Sequence, residues 1–387
     1  MGGTYISDTL TDLKKKIIDG DVQVVDDWAN DTITVPSNRS ASVYIHGGND
    51  IVVGNDNMQR IYDLPADNAR PVRNEDGSLS YPAGTGSSGD DYVLAGGGND
   101  TIYAGDGRNT YDGGEDTDTV SYVNATAAVT IDLQTGVGRG FGTDRLISIE
   151  NAEGSAFNDA LYGSSQDNYL FGGAGNDVLD GKGGDDVLEG GDGDDWLVGG
   201  AGNDHIDGGD GLDVVSYADA TTGTVVNLAT AQAFLGNSGE VDSVVNVEAV
   251  IGSGFADILT GNSADNILVG LGGADVLTGG AGRDRFVFTE KDLGTSAWHP
   301  DVITDFTSGE DVIDLSGLLG SDIVLSGGPP DKDFEFVDAF TGAAGEVTFG
   351  FRAASTIVMV DLDGNGDSDF TIRLAGHHDL TANDFWL

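Results

Sequence analysis

The sequence predicts an all-β fold, a parallel β-roll built in blocks, with a short N-terminal cap helix and a β-rich C-terminal domain. The main observation is a nine-residue unit that repeats seven times between residues 154 and 216 without a change of phase. The unit has the form G-G-x-G-x-D-x-U-x, where U is a large apolar residue, as in GGAGNDVLD at 172–180. The chain also has 62 glycines and no cysteine, so tight turns are frequent and disulfides do not hold the fold.

Each unit supplies one turn and one short strand. Glycines at positions 1, 2 and 4 allow the positive φ angles of a tight turn. The eighth residue lies on a three-residue strand and is expected to point inward. Two units make one coil, so equivalent positions stack every 18 residues along the chain. Stacked coils of this kind bury a continuous core although each repeat is short.

Position 6 carries an oxygen-bearing side chain in every unit of this central block. These residues are Asp159, Asn168, Asp177, Asp186, Asp195, Asp204 and Asp213. The glycine turn also directs several backbone carbonyl oxygens at one point. An all-oxygen site suits a hard cation with six or more ligands, and calcium best. The sequence therefore predicts multiple bound Ca²⁺ ions.

Two further blocks keep the nine-residue phase. Residues 86–121 place Asp91, Asp100, Asn109 and Asp118 at position 6, and residues 252–287 place Asp257, Asn266, Asp275 and Asp284 there. Two similar segments, 122–153 and 217–251, separate the blocks, and each contains an alternating stretch typical of a strand. We expect both to be hairpin-like β insertions that break the roll.

The remaining segments are predicted to flank the roll. Residues 1–55 are expected to be an N-terminal cap with a degenerate first repeat, because solenoid ends need covering. Within it, residues 7–18 carry apolar residues on one helical face before Gly20, which predicts a short amphipathic helix. Residues 56–85 contain three prolines, which indicates a loop or insertion. From 288 to 387 glycine becomes rarer and strands lengthen, which indicates a separate β-rich domain.

A short acidic segment within 288–387 is a weaker metal candidate. It places five oxygen-bearing residues at alternate positions: Asp361, Asp363, Asn365, Asp367 and Asp369. This spacing is similar to the start of an EF-hand loop, but Ile372 stands where the twelfth-position glutamate belongs. A calcium site and an acidic β-turn are both compatible with it.

The formal net charge of −49 limits the classes of partner. It excludes nucleic acid, since phosphate binding needs basic surfaces. Such a chain repels its own compact state unless cations neutralise it, so metal binding and folding should be one event. There is no apolar run long enough for a transmembrane segment, and the first residues lack the features of a cleaved signal peptide.

Both the repeats and the C-terminal region resemble a known family. The unit is identified as the calcium-binding nonapeptide of RTX (hemolysin-type) β-rolls. The runs DVITDFTSGEDVIDLSGL (301–318) and DFTIRLAGHHDLTANDFWL (369–387) resemble the C-terminal domain of serralysin-type metalloproteases. The resemblance implies export by a type I secretion apparatus that reads an uncleaved C-terminal signal ending in 384–387. A final strand packed on the domain is an equally compatible reading of that tail.

The resemblance also implies how ions are held. In family β-rolls each ion lies between neighbouring coils, bound by position-6 aspartates and by carbonyl oxygens of the glycine turns. The glycines that fall where such carbonyls belong are Gly173, Gly175, Gly191, Gly193, Gly200 and Gly202.

The departure from the serralysins concerns catalysis. A serralysin needs H-E-x-x-H, and none of the five histidines here is followed by glutamate. There is no G-x-S-x-G elbow either, so no catalytic residue is assigned. We expect a secreted, extracellular, non-enzymatic protein that folds on binding calcium and contacts cell surfaces, extracellular polysaccharide or protein, or acts in signalling. The alternative is the non-catalytic RTX and secretion portion, or an accessory module, of a secreted protease or polysaccharide epimerase.

Overall fold

The structure is a computed structural model of the 387-residue chain. It describes the strands named below between residues 14 and 80, and residues 90–236, 239–294, 300–318 and 334–387. The chain divides into two compact units, Met1–Asp192 and Gly193–Leu387. The described residues contain strands, two short 3₁₀ helices (Glu290–Gly294 and Ala382–Asp384) and no α-helix.

In the N-terminal unit, the described residues form two sheets of nine strands each and a two-stranded ribbon. The first sheet contains, in order across it, Lys14–Ile18, Asp21–Val25, Ala41–His46, Gln59–Leu64, Thr101–Tyr103, Thr119–Ser121, Asn151–Glu153, Tyr169–Ala174 and Val187–Asp192. The second contains Thr32–Thr34, Ile51–Asn55, Tyr92–Gly97, Thr110–Glu115, Thr143–Ile147, Val137–Arg139, Thr130–Asp132, Ala160–Tyr162 and Val178–Asp180. The ribbon pairs Val72–Arg73 with Leu79–Ser80.

The C-terminal unit also contains two sheets, which we call the long sheet and the short sheet. The long sheet contains, in order, His205–Asp210, Glu240–Val245, Gln232–Leu235, Thr224–Asn227, Ile258–Thr260, Val276–Thr278, Asp301–Ile303, Phe370–Ala375, Ser355–Asp361, Glu346–Arg352 and Glu335–Phe336. The short sheet contains Trp196–Val198, Val214–Ser216, Ala249–Ile251, Ile267–Val269, Arg285–Thr289, Val312–Gly317 and Phe385–Trp386.

The predicted parallel β-roll is confirmed in each unit. Successive strands of the repeat blocks alternate between the two sheets, and parallel neighbours differ by 18 residues, as in Leu161 beside Leu179 and Leu170 beside Leu188. All position-8 residues are 0% exposed: Val93, Ile102, Tyr111, Val120, Leu161, Leu170, Leu179, Leu188, Leu197, Ile206, Val215, Leu259, Leu268, Leu277 and Phe286. These side chains form the core between the sheets.

The predicted cap helix over residues 7–18 is wrong in its last five residues. Lys14–Ile18 is a strand, antiparallel to Asp21–Val25, and residues 7–13 lie outside the described residues. A single short helix is marginal in water, whereas a strand beside a sheet satisfies its backbone groups at once. The dipeptide Asp19-Gly20, which favours a two-residue hairpin connection, is the signal that should have outweighed the amphipathic pattern.

The roll also extends into segments without the glycine signature. Ala41–His46 pairs in parallel with Gln59–Leu64, which in turn pairs with Thr101–Tyr103. Thus the segment 56–85, expected to be a loop or insertion, contributes a strand to the roll, and strands within 1–55 belong to the same sheets. Sheet pairing needs only an extended backbone and an inward apolar residue, such as the buried Val43 and Ile61, so glycine-poor coils can join.

The two insertions do not interrupt the sheets. Each replaces one strand by a three-stranded antiparallel meander whose first strand pairs with the next coil and whose last strand pairs with the preceding coil. Asp301–Ile303 and Val312–Gly317 likewise extend the parallel sheets beyond residue 288, before the antiparallel strands from 346 to 375. The expected breaks between blocks are therefore continuous sheet in the structure.

Candidate calcium sites

Position-6 side chains form hydrogen-bonded ladders along the turns of the roll. The backbone N–H of a position-6 residue donates to the position-6 side chain one coil later. The N–H of Asp159 donates to Oδ1 of Asp177, and that of Asn168 to Oδ1 of Asp186, both at 2.7 Å. The same bond joins the pairs Asp91–Asn109, Asp100–Asp118, Asp195–Asp213, Asp257–Asp275 and Asn266–Asp284. The fold itself therefore occupies one oxygen of each accepting side chain.

The second carboxylate oxygen determines whether a cation is needed. Oδ2 of Asp118, Asp213 and Asp275 is buried and accepts no hydrogen bond. Burial raises the pKa of Asp118 and of Asp213 to about 6, and that of Asp275 to about 8. A buried carboxylate oxygen without a donor is costly unless a cation approaches it. This donor set therefore fits calcium, which prefers carboxylate and carbonyl oxygens.

The glycines are required because oxygens of neighbouring coils converge on them. A Cβ added to Gly172 would lie 2.4 Å from Oδ2 of Asp177. Gly191 has a φ of +116°, and its Cβ would lie 2.0 Å from the carbonyl oxygen of Gly173. All the glycines expected to offer carbonyl ligands have positive φ: Gly173, Gly175, Gly191, Gly193, Gly200 and Gly202.

Some position-6 side chains are satisfied by hydrogen bonds within their own turn or to the preceding coil instead. Oδ2 of Asp257 accepts the backbone N–H of Ser253 at 2.6 Å, and the Ser253 hydroxyl donates to Oδ1 at 2.9 Å. Asp159 and Ser155 repeat this arrangement. The three asparagines donate through Nδ2 to backbone carbonyls: Asn109 to Gly105, Asn168 to Glu150 and Asn266 to Glu248. These turns are closed by protein hydrogen bonds, which sequence spacing alone did not reveal.

The other predicted ligands are buried aspartates of regular turns. They are Asp91, Asp100, Asp186, Asp195, Asp204 and Asp284. Burial raises the pKa of Asp284 to about 6, with further contributions from the negative charges of Asp311 and Asp305.

The ladders also include acidic residues that the nine-residue pattern missed. Asp144 accepts the N–H of Asn109, and Asp301 that of Asp275, both at 2.8 Å. The others are Glu150 (from Asp118), Asp242 (from Asp204), Glu248 (from Asp213) and Asp311 (from Asp284). Each stands two residues before a buried apolar residue: Leu146, Ile303, Ala152, Val244, Val250 and Ile313. The triplet acidic-x-apolar, without the glycines, is the signal that could have found them.

In both insertions a tyrosine hydroxyl donates a hydrogen bond to the second carboxylate oxygen of a ladder aspartate. The hydroxyl of Tyr122 donates to Oδ2 of Asp144 at 2.6 Å, and that of Tyr217 to Oδ2 of Asp242 at 3.0 Å. Burial raises the pKa of both carboxyl groups to about 6, although the tyrosine hydrogen bonds act in the opposite direction. A neutral tyrosine hydroxyl thus occupies the position beside these two carboxylates where a cation would otherwise bind.

Three buried carboxylates converge at the last coil that has a glycine turn in the long sheet. Oxygens of Asp275, Asp292 and Asp301 lie within 4.8 Å of one another. Oδ2 of Asp275 and of Asp301 accepts no hydrogen bond, whereas Thr289 donates its N–H and hydroxyl to Oδ2 of Asp292. Burial, reinforced by mutual repulsion, raises the pKa to about 8 for Asp275 and about 7 for the other two. Asp292 lies on the 3₁₀ helix Glu290–Gly294, outside any repeat spacing.

The acidic segment 361–369 is a hydrogen-bonded loop. The two oxygens of Asp361 accept the N–H groups of Gly364 and Gly366 at 2.7 and 2.8 Å. Oδ2 of Asp369 accepts the N–H of Leu362 at 2.7 Å. Carboxylate oxygens of Asp361, Asp363 and Asp369 come within 4.8 Å, but most of the segment is exposed, including Asp363, Asn365, Asp367 and Asp369. Backbone donors hold these carboxylates as in an acidic turn.

The C-terminal tail is packed into the fold. Phe385–Trp386 pairs in parallel with Val312–Gly317. The buried carboxylate of Asp384 accepts the Ser308 hydroxyl at 2.8 Å and the Gly309 N–H at 2.7 Å. The tail is therefore a structural strand, which is compatible with its expected role as a secretion signal in the unfolded chain.

Comparison with known proteins agrees with this architecture. The family model of the RTX calcium-binding nonapeptide repeat matches residues 85–120, 153–188 and 189–218. The Peptidase M10 serralysin C terminal model matches residues 208–387. RTX repeats bind calcium, so several copies support several calcium ions. Among the described residues, no helix is both long and apolar enough to cross a membrane.

Similar curated proteins match only part of the chain. Metalloprotease AprA of Pseudomonas entomophila (strain L48) is 37% identical over 148 residues, covering 35% of this chain and 29% of the relative. Serralysin G of Dickeya chrysanthemi is 39% identical over 142 residues, covering 34% of this chain and 27% of the relative. The chain thus spans less than a third of the length of these relatives.

Likeness to solved structures is weak. The AlgE6R3 subunit of the Azotobacter vinelandii mannuronan C5-epimerase has 20% identity and a TM-score of 0.17, covering 59% of this chain and 77% of that chain. The extracellular lipase LipA of Serratia marcescens has 14% identity and a TM-score of 0.16, covering 91% and 40%. The two family matches show that the chain carries RTX calcium-binding nonapeptide repeats followed by a serralysin-type C-terminal domain.

Proposed function

We propose that this chain is a secreted, non-enzymatic protein that folds when it binds calcium, after export by a type I apparatus through its C-terminal signal. The observation that carries the proposal is the set of buried carboxylate oxygens on Asp118, Asp213 and Asp275 that accept no hydrogen bond. They lie in stacked turns of a chain with a net charge of −49. Without cations, this arrangement would bury unscreened like charges.

The calcium ligands we propose are the position-6 aspartates of regular turns and the carbonyl oxygens of their glycines. In the central block these include Asp177, Asp186, Asp195 and Asp204. Asp275, Asp292 and Asp301 would hold one further ion between three carboxylates. We exclude Asp159 and Asp257 from the set because Ser155 and Ser253 already satisfy their second oxygens.

Calcium would act as the switch between an exportable and a folded chain. Where calcium is scarce, self-repulsion keeps the chain extended. Outside the cell, sites with dissociation constants on the order of 10⁻⁴ to 10⁻³ M are filled. A filled site contributes about 2.7 kcal/mol when calcium is about 100-fold above its dissociation constant. Because neighbouring sites share a ladder, several of them should make the transition steep.

A calcium titration followed by far-UV circular dichroism tests this proposal. We expect little β signal in excess chelator and a cooperative gain of β structure at millimolar calcium, with magnesium as a control that fails to replace calcium. A full β signal in excess chelator at neutral pH would overturn the proposal.

A second candidate function is that of a non-catalytic RTX and secretion portion, or accessory module, of a secreted enzyme. It is favoured by the curated relatives, which are metalloproteases matched over less than a third of their length. Neither candidate predicts turnover of casein or of alginate by the intact chain alone, and clear turnover would refute both. A change in the rate at which a secreted protease or epimerase turns over its substrate when the chain is added would favour the accessory role.

A further inference from the structure

The outer face of the long sheet carries an exposed row of apolar side chains. Strand register aligns Val241 with Phe234, Phe234 with Val225, Val225 with Ile258, and Ile258 with Val276. We call these five residues the apolar row. Phe234 is 42% exposed, Val225 40% and Ile258 45%, whereas the inward residues next to them on the same strands are buried.

A second row of uncharged polar residues runs beside the first. Register aligns Ser243, Gln232, Asn227, Thr260 and Thr278, each two residues along the strand from a member of the apolar row. We call these the polar row. The hydroxyl oxygens of Thr278 and Thr304 lie 2.7 Å apart, so a further hydroxyl group lies at the end of the next strand, Asp301–Ile303. Neither row contains a charged residue, although the chain has a net charge of −49.

The meander itself does not require this apolar row. The first insertion has the same three-stranded arrangement, and the equivalent outward row there is Thr143, Arg139, Thr130, Ala160 and Val178. Arg139 and Thr130 thus stand where the second insertion has Phe234 and Val225. Since the fold tolerates polar and charged residues at these positions, stability of the meander does not explain the apolar ones.

The chain covers outward apolar residues elsewhere in the same unit. On the short sheet, outward residues on three neighbouring strands belong to a buried apolar cluster that includes Val214, Ala249, Ile251, Ile267 and Val269. The apolar row on the long sheet has no comparable cover among the described residues. An exposed, ordered set of apolar residues beside polar ones is typical of a binding surface.

We propose that the apolar row and the polar row bind one chain of an uncharged polysaccharide lying across the strands. Sugar rings offer apolar C–H faces that pack on Phe234, Val225 and Ile258, and hydroxyl groups that bond to Gln232 and Thr260. Strands are spaced about 4.8 Å apart, so each sugar along an extended chain meets a new pair of residues. The absence of charge on both rows matches a neutral ligand, and the acidic chain would repel an anionic glycan.

The dimensions of the surface also favour a thin ligand over a folded partner. Five strands at this spacing span about 19 Å, and two rows are about 7 Å apart. The area enclosed by the two rows is therefore about 130 Å², well below the roughly 800 Å² per partner that stable protein interfaces bury. This inference deepens the proposed extracellular role and rests on the calcium-folded roll.

Affinity electrophoresis in native gels containing calcium tests the inference, with hydroxyethyl cellulose as the neutral probe and alginate as its acidic counterpart. We expect hydroxyethyl cellulose, but not alginate, to retard the intact chain. Phe234→Ala together with Ile258→Thr should weaken retardation about tenfold. The two substitutions remove much of the apolar surface on which a sugar ring would pack. Val178→Thr, at the equivalent exposed row of the first insertion, is the matched control and should change nothing. Val225→Thr is an isosteric second variant in case the double variant does not fold.

Circular dichroism and calcium titration of the same samples separate the two proposals. A calcium-folded chain that hydroxyethyl cellulose does not retard overturns this inference and leaves the calcium proposal standing. Equal retardation of the intact chain and the folded variants, or retardation by alginate alone, also overturns it. The inference is also overturned if sedimentation shows that the intact chain is a dimer and that the row variants are monomers, because a second copy would then occupy the surface. A chain that calcium fails to fold overturns both proposals.

Discussion

Replacing Asp275 by asparagine separates the two tasks of a position-6 aspartate. An amide in this position can still accept the N–H of Asp257 through Oδ1, a bond of 2.8 Å. It removes the negative charge and the second oxygen, which is buried and accepts no hydrogen bond. The ladder is therefore retained while the calcium ligand is lost.

The expected loss depends on the calcium concentration. With a dissociation constant of about 10⁻⁴ M, a filled site contributes about 2.7 kcal/mol at about 10 mM calcium, and about 1.4 kcal/mol at about 1 mM. If Asp275→Asn empties the site, the free energy of unfolding should fall by these amounts. Urea unfolding followed by circular dichroism at both calcium concentrations measures the difference, and the calcium midpoint of folding should move upward.

The matched control is Asp257→Asn. Its carboxylate already receives hydrogen bonds from Ser253 and Thr224, so no calcium ligand should be lost. The amide nitrogen would disrupt one of these bonds, which costs about 1 kcal/mol at every calcium concentration. Equal calcium dependence of the two variants would refute the distinction between calcium-binding turns and turns closed by serine.

Three further predictions concern the turns and the tail. Gly191→Ala should lower the free energy of unfolding by about 1 to 3 kcal/mol, because it forces φ of +116° on alanine and places Cβ 2.0 Å from the Gly173 carbonyl oxygen. The control is Gly254→Ala, whose Cβ meets nothing within 4 Å and which should cost less in the same urea experiment. In excess chelator, acid should favour folding, because the folded-state pKa of Asp275, about 8, lies above its ordinary value of 3.8. The stability that this group contributes is therefore complete below about pH 4 and is lost as the pH rises to 8. Circular dichroism across that range should show the β signal falling as the pH rises, and a signal that does not change would contradict the prediction. Asp384→Ala should cost about 1 to 3 kcal/mol in thermal unfolding, because Ser308 and Gly309 lose a buried acceptor; an unchanged midpoint would show that the tail does not stabilise the fold.

Much of the site could be predicted from the repeat alone because the relevant forces are local. Glycine at positions 1, 2 and 4 is needed by the turn in which it stands, and the inward residue follows from alternation along a three-residue strand. Leu179 and Leu188 were therefore expected in the core, and both are fully buried. The same locality explains the failure at Lys14–Ile18, where a helical pattern was outweighed by a neighbouring strand.

The sequence by itself determined the coil, its 18-residue register and the chemistry of its oxygens, because turn and strand preferences act within nine residues. Only the tertiary structure decided which carboxylates keep an oxygen for a cation. Asp118 meets Glu150 across 32 residues of chain, and Asp275 meets Asp301 across 26, without glycines to mark either partner. Such hydrogen-bond partners are determined by the path along which an insertion or a 3₁₀ helix returns to the sheet. Hydrogen bonds between segments so far apart in the chain produce no repeat spacing that the sequence could show.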